Sequence, residues 1–139
     1  HSEAVISEAL KDLDKTKVIV LKRDGNGQVS ANCIGIPAVL PYTMAAEVNY
    51  QAFELVSTDY HNALYGYIEA EGWKNNFDAQ YPTVSYNRER NGTVITQRIT
   101  LTEKIRHIIH HPENRNNSYT EGDLKESIER MRSFIMAQP

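Results

Sequence analysis

The apolar positions of this chain change their period several times, and each change predicts an element. Between Ser2 and Leu10, Val5, Ile6 and Ala9 form an apolar stripe, which predicts a short helix. Val18-Ile-Val-Leu21 is β-branched and nearly continuous, as in a buried strand, and Asp24-Gly25-Asn26-Gly27 signals a turn. Residues 28–34 return as a weaker second strand, and the start of the chain reads as a small βαβ-like lead-in.

From Pro41 the texture is helical. VLPYTMAAEVNYQAFELV predicts a helix with Pro41 in its first turn and Met44, Val48, Phe53 and Leu55 amid good helix formers. Ser57 or Thr58 caps a second helix, DYHNALYGYIEAEG, which ends at Gly72. Residues 73–82 read as a loop closed by Pro82. TVSYNRERNGTVITQRIT then alternates about Asn91-Gly92, the strongest short hairpin signal in the chain, placing a hairpin at about 83–99.

Two more helices follow. Thr100-Leu-Thr-Glu103 fits a capping box, and Leu101, Ile105, Ile108 and Ile109 fall on one face. Pro112 disfavours helical geometry at His111, so this helix ends near there. PENRNNSYTEGD is a polar connection. Thr120 and Asp123 open the last helix, whose buried stripe is Leu124, Ile128, Met131 and Ile135. The sum is a mainly α chain of the α+β class: about four helices, an inserted hairpin and a small β element near the start.

Composition narrows the chemistry. At 139 residues the chain is long enough to bury a core without staples. No apolar run approaches the ~20 residues of a spanning helix, so no membrane association is expected. The single Cys33 cannot form an internal disulfide, which points to the cytoplasm. A net charge of −3 argues against a general nucleic-acid coat, though not against an enzyme with one small basic cleft. Without an initial methionine or signal peptide, His1 is expected to be a tag remnant or a point inside a longer protein.

The unusual stretch is IRHIIHHPEN, residues 105–114, where three histidines crowd one arginine. At roughly 100° per residue, the isoleucine stripe turns Arg106, His107 and His110 to the other side of the helix, with His111 near the edge. Histidine exchanges protons near neutrality, and arginine clamps phosphate through two parallel hydrogen bonds. Together they suit phosphodiester cleavage in RNA: the imidazole assists 2′-hydroxyl attack or protonates the leaving oxygen, and the guanidinium stabilises the phosphorane. No metal or other cofactor is required. Three plainer readings stand beside this one. The histidines decorate a solvated helix C-terminus, where the dipole favours imidazolium. They bind phosphate or nucleotide without catalysis. Or His107 and His111, four apart, hold a metal, although Ile108 stands where the zincin pattern needs glutamate.

Arg106-His-Ile-Ile-His-His111 resembles the R-x4-H signature of the HEPN superfamily of helical nucleotide-binding domains. The capped helix, the abrupt HHPEN stop and the amphipathic helix that follows are similar to the last two helices of that fold. The resemblance covers roughly residues 38–136 and implies a dimerising HEPN-like four-helix bundle. It implies a metal-independent endoribonuclease, toxin-like or a defence effector, leaving 2′,3′-cyclic phosphate and 5′-hydroxyl ends, with tRNA among the family's substrates. Two copies of the motif would face each other in a homodimer. Carried over, Arg106 and His111 are the catalytic pair and His107 the polar neighbour. His110, one turn from Arg106, takes the role if His111 bends away at the proline. Glu47 is the supporting polar residue from an earlier helix, and Arg115, with Asn114, is an additional phosphate contact. A non-catalytic nucleotide-binding or interaction module is the family's other outcome.

The hairpin and the lead-in at 1–37 lie outside such a bundle, leaving 38–139 as the HEPN-like domain. HSEAVISEAL with KVIVLKRDGNG resembles the tail of ATPase heads in phage-defence proteins, which implies an ATPase domain or partner as in anticodon-nuclease-like systems. No GxxxxGK[ST] loop exists here, so this chain is not the nucleotidase by itself. Arg88, Arg90 and Arg98 on the hairpin are a basic arm for RNA or a solvated ribbon face. Tyr42, Tyr50, Tyr60, Tyr65 and Tyr67 read as packing and interface residues rather than base-stacking ones.

Overall fold

The computed structural model describes residues 19–33 and 36–139, so the helix expected at Ser2–Leu10 lies outside the described residues. These residues are mixed helix and strand, and they fall into two compact units, one up to Val56 and one from Ser57.

In the first unit, β1 (Ile19–Arg23) pairs antiparallel with β2 (Val29–Cys33), with Ile19 opposite Cys33 and Arg23 opposite Val29. A βαβ unit needs parallel strands, so the lead-in is instead a hairpin. Its turn is made by Asp24, whose Oδ1 accepts from the amides of Asn26 and Gln28, each at 2.9 Å. Gly27 takes φ 81°, where a Cβ would be strained.

Helix α1 (Ala45–Phe53) starts four residues after Pro41, which lies in the preceding bend and not in the first turn. Ala45, Ala46, Glu47 and Tyr50 are its buried residues, whereas Phe53 and Leu55 are exposed. Glu54 ends it in the left-handed region at φ 53°.

The second unit begins with α2 (Thr58–Ala70), capped by Ser57, whose hydroxyl accepts from the Tyr60 amide at 3.1 Å. Residues 73–82, expected as loop, contain a short helix, α3 (Lys74–Asp78). Its cause is tertiary: Phe77 is 1% exposed and packs edge-on against Phe134 at 5.3 Å between ring centroids. One buried ring fixes a turn that local propensity does not specify.

Strands β3 (Thr83–Arg90) and β4 (Thr93–Thr100) pair without a bulge from Thr83↔Thr100 to Arg90↔Thr93. Asn91 and Gly92 have φ 52° and 75°, the two positive values a type I′ turn requires. Thr100 then caps α4 (Leu101–His110) by accepting from the Glu103 amide. Only this half of the expected capping box forms, because the Glu103 carboxylate lies toward Lys74 and His107 instead. The buried stripe also differs: Leu101, Thr102 and Ile105 are buried, while Ile108 and Ile109 are half-covered.

The last helix, α5 (Glu121–Met136), has the reciprocal capping box at Thr120 and Asp123. Leu124, Ile128, Met131 and Ile135 are all buried, joined by Phe134. It packs against α2 and α4, which also touch each other. Replacing Thr120 by alanine leaves the Asp123 amide without its acceptor. The substitution is expected to destabilise the unit by about 1 kcal/mol, read as a lowered urea midpoint with an unchanged slope.

Polar groups also join these three helices. His61 on α2 meets Ser127 on α5 at 2.9 Å, and the Ser127 hydroxyl meets Thr102 on α4 at 2.7 Å. Arg132 donates to the Tyr60 hydroxyl at 2.6 Å, with both residues buried. The described residues contain no helix long and apolar enough to cross a membrane.

Candidate functional site

The C-terminal turn of α4 divides the cationic cluster between two sides. Residues four apart on a helix share a face, so Arg106 goes with His110 and His107 goes with His111. His111 is the C-cap, at φ −127° and ψ 64°, already outside helical geometry because Pro112 follows. No hydrogen bond joins Arg106 to His111 among the described residues. The pair implied by the HEPN resemblance is therefore split, and His110 is the imidazole that accompanies Arg106.

Arg106 sits against α2. Its Nη1 donates to Asn62 Oδ1 at 2.9 Å and to His110 Nε2, and its guanidinium lies 5.2 Å from the centre of the Tyr65 ring. Arginine can only donate, so a hydrogen bond between them requires a lone pair on His110 Nε2, the neutral tautomer with its proton on Nδ1. The same geometry acts on its acidity. Loss of hydration comes first, then the Arg106 guanidinium, and together they hold His110 below the ordinary imidazole range. Burial pushes the Tyr65 phenol up to about 12, so the ring under the guanidinium stays neutral.

Behind this pair lies His61, 0% exposed, with Nε2 on Ser127 and, among the described residues, no hydrogen-bond partner for Nδ1. Burial, and secondarily the charge of Arg106, lowers its pKa to about 4. His61 is thus a neutral spacer between α2 and α5, adjacent in sequence to the Asn62 that holds Arg106.

On the other side, His107 stacks on Tyr86 of β3, with centroids 5.3 Å apart and planes at 25°. His111 continues the column at 6.4 Å and 30°. Its Nδ1 lies 3.0 Å from Glu113 Oε1, and His107 Nε2 lies 3.5 Å from Glu103 Oε1. These rings wall a cleft of about 410 Å³ between the hairpin and the end of α4, which also takes in Arg88 and Arg90.

Of the remaining predicted site residues, Asn114 and Glu47 have structural work. Asn114 Nδ2 donates to the Asn87 carbonyl at 3.0 Å and to the Tyr86 hydroxyl at 3.4 Å, fastening the loop after α4 to β3. Asn117 does the same, accepting from the Asn87 amide at 2.7 Å and donating to its carbonyl at 2.8 Å. Arg115 is exposed and lies outside the cleft lining. Glu47 belongs to the first unit, where its buried carboxylate accepts from the Val39 and Leu40 amides.

Sequence reasoning missed Asn62 and His61, and read Tyr65 as a packing and interface residue, not as the ring beneath Arg106. Their signal was weak but present: His61 and Asn62 are polar residues one turn before Tyr65 on a helix otherwise lined by Tyr60, Leu64 and Ile68. Among the described residues, no group of three or more His, Cys, Asp or Glu side chains is arranged to hold a metal ion. No family model matches this chain, and neither a curated protein nor a solved structure is significantly similar to it.

Proposed function

We propose that this chain is a metal-independent endoribonuclease, with Arg106 and His110 acting on the scissile phosphodiester and a homodimer as the active form. The observation that carries the reading is the guanidinium held against a neutral, exposed imidazole at the free end of a short helix. A bound phosphate competes for the Arg106 donors, because charge-assisted bonds to phosphate outweigh one to a neutral ring. Its arrival frees His110 Nε2 as a base. Nε2 then takes the 2′-hydroxyl proton, and the oxygen attacks the adjacent phosphorus. Arg106 balances the charge on the phosphorane. The P–O5′ bond breaks, and the leaving oxygen takes its proton from a water molecule, while the imidazolium gives its own proton to the hydroxide so formed. The products are a 2′,3′-cyclic phosphate and a 5′-hydroxyl.

Half-covered Ile108 and Ile109 beside the pair favour a second copy approaching this end of α4. A HEPN-type bundle, to which α2, α4 and α5 would contribute three helices, is the architecture that fits this reading. RNA, tRNA included, is the proposed substrate, and a toxin-like or defence role, alongside an ATPase domain or partner, is its proposed setting.

The decisive experiment incubates purified protein with RNA in EDTA and analyses the new ends. Cleavage leaving cyclic phosphate is the expected result. Cleavage that chelation abolishes would give the reaction to a metal. RNA binding without any cleavage would leave a nucleotide-binding module.

A further inference from the structure

Three arginines lie on the β3–β4 hairpin, and the structure uses them differently. Arg98 is committed: its guanidinium donates across the ladder to the Thr83 carbonyl and hydroxyl and to the Ser85 hydroxyl. Arg88 and Arg90 are exposed, line the cleft and make no hydrogen bond or ion pair among the described residues. Strand alternation explains the division. Residues 86, 88 and 90 share one face of β3, whereas Ser85, the register partner of Arg98, is on the other.

The face that carries Arg88 and Arg90 therefore also carries Tyr86, whose ring begins the stacked column Tyr86–His107–His111. The two carboxylates of the cleft lining are each directed to a partner other than Arg88 or Arg90. Glu89 accepts from Asn116 Nδ2 at 3.0 Å, and Glu113 faces His111. What remains is a concave wall with two unpaired guanidinia at one side and exposed imidazole edges at the other. A volume of about 410 Å³ falls within the ~300–1,000 Å³ of small-ligand sites.

We infer that this cleft is a second, non-catalytic subsite that binds single-stranded RNA beside the cut. Arg88 and Arg90 hold its phosphates, and a base packs on the outer face of the His111 ring, which ends the column. Successive cations on one strand face suit a phosphate backbone, and imidazole faces are accepted stacking surfaces for unpaired bases. The loop Asn114–Asn117, tied to Asn87, fixes the hairpin relative to α4 and so keeps the two walls in register. This inference deepens the nuclease reading and rests on it for the choice of RNA as ligand.

The test uses a short, fluorescein-labelled oligoribonucleotide methylated at every 2′ oxygen, which cannot be cut, so that anisotropy reports binding alone. The double variant Arg88→Gln/Arg90→Gln is expected to bind at least about tenfold more weakly. The slope of log affinity against log salt should fall by about 1.4, for two lost single-strand phosphate contacts. Arg98→Gln should bind like the unaltered protein. Equal affinity in the double variant, or an equal loss in Arg98→Gln, overturns the subsite, as does failure of the unaltered protein to bind. Parallel assays with unmodified RNA keep the two ideas apart. Binding through Arg88 and Arg90 with no cleavage sinks the nuclease alone. Cleavage whose KM ignores the double variant sinks the subsite alone.

Discussion

Arg106→Ala and His110→Ala are each expected to lower the rate of RNA cleavage by about 10²–10⁴-fold, the range for losing a positioned proton-transfer group or its charge partner. His111→Ala should stay within a few-fold. The distinction follows from the face each residue occupies: Arg106 bonds His110, whereas His111 turns to Glu113 and stacks beside His107. Initial rates in EDTA, with circular dichroism of each variant, measure it. A dead His111→Ala beside an active His110→Ala would return the role to the residue that the family pattern implies. The pH profile carries a second signature. A base must be neutral, so the rate should rise with pH and level off below the ordinary imidazole pKa of about 6.5, since Arg106 and lost hydration hold His110 down. Substituting the conservative Arg106→Lys should move that limb upward, because a lysine reaches neither Asn62 nor His110 in the same fork geometry.

Acidification from neutral pH to about 4 should cost the second unit up to about 3 kcal/mol of stability through His61 alone, since each tenfold difference in proton affinity between folded and unfolded chains is worth about 1.4 kcal/mol. In the folded chain this imidazole is buried, neutral and hydrogen-bonded to Ser127, and its pKa is about 4. In the unfolded chain it protonates near 6.5. The unfolded state therefore binds more protons between these values, and stability falls as pH falls through the window. Below about 4 the folded form protonates as well, and the loss levels off. Urea midpoints at several pH values will measure this, and carboxylates will add their own slope at the acid end. His61→Leu isolates the contribution: Ser127 keeps its bond to Thr102, and the profile between pH 6.5 and 4 should flatten relative to the unaltered protein. An unchanged slope in that variant would mean that His61 is already hydrated or charged in the fold. Because Asn62 follows His61 directly and holds Arg106, the same pH range should loosen the Arg106 end of α4.

Where local chemistry was strong, the chain spelled out its own elements. Asn91-Gly92 supplies the two positive φ values of a tight hairpin, Ser57, Thr100 and Thr120 supply acceptors for orphan helix amides, and Pro112 forbids another turn. The 3.6-residue stripe of α5 names its buried residues correctly, because each apolar side chain there has a partner helix to cover it. Those facts are properties of a few consecutive residues. Helix α3 was not legible, since contacts that organise it come from far along the chain: Phe77 meets Phe134, and Asp78 accepts from the Thr100 hydroxyl. The Thr100 box likewise lost half of its bonds to Lys74, a competitor that no local window contains.

The sequence by itself determined that an arginine and three imidazoles crowd the end of a short amphipathic helix, since composition and the proline put them there. Only tertiary structure decided how they are shared. Helical geometry offers Arg106 a neighbour at 110 and His107 one at 111, but which face meets which surface depends on α2 and β3. Asn62 and Tyr65 draw the guanidinium to one side, and Tyr86 stacks His107 on the other. Long-range packing thus separated the Arg106–His110 pair from a cleft wall within six residues, and no spacing rule read along the chain contains that information.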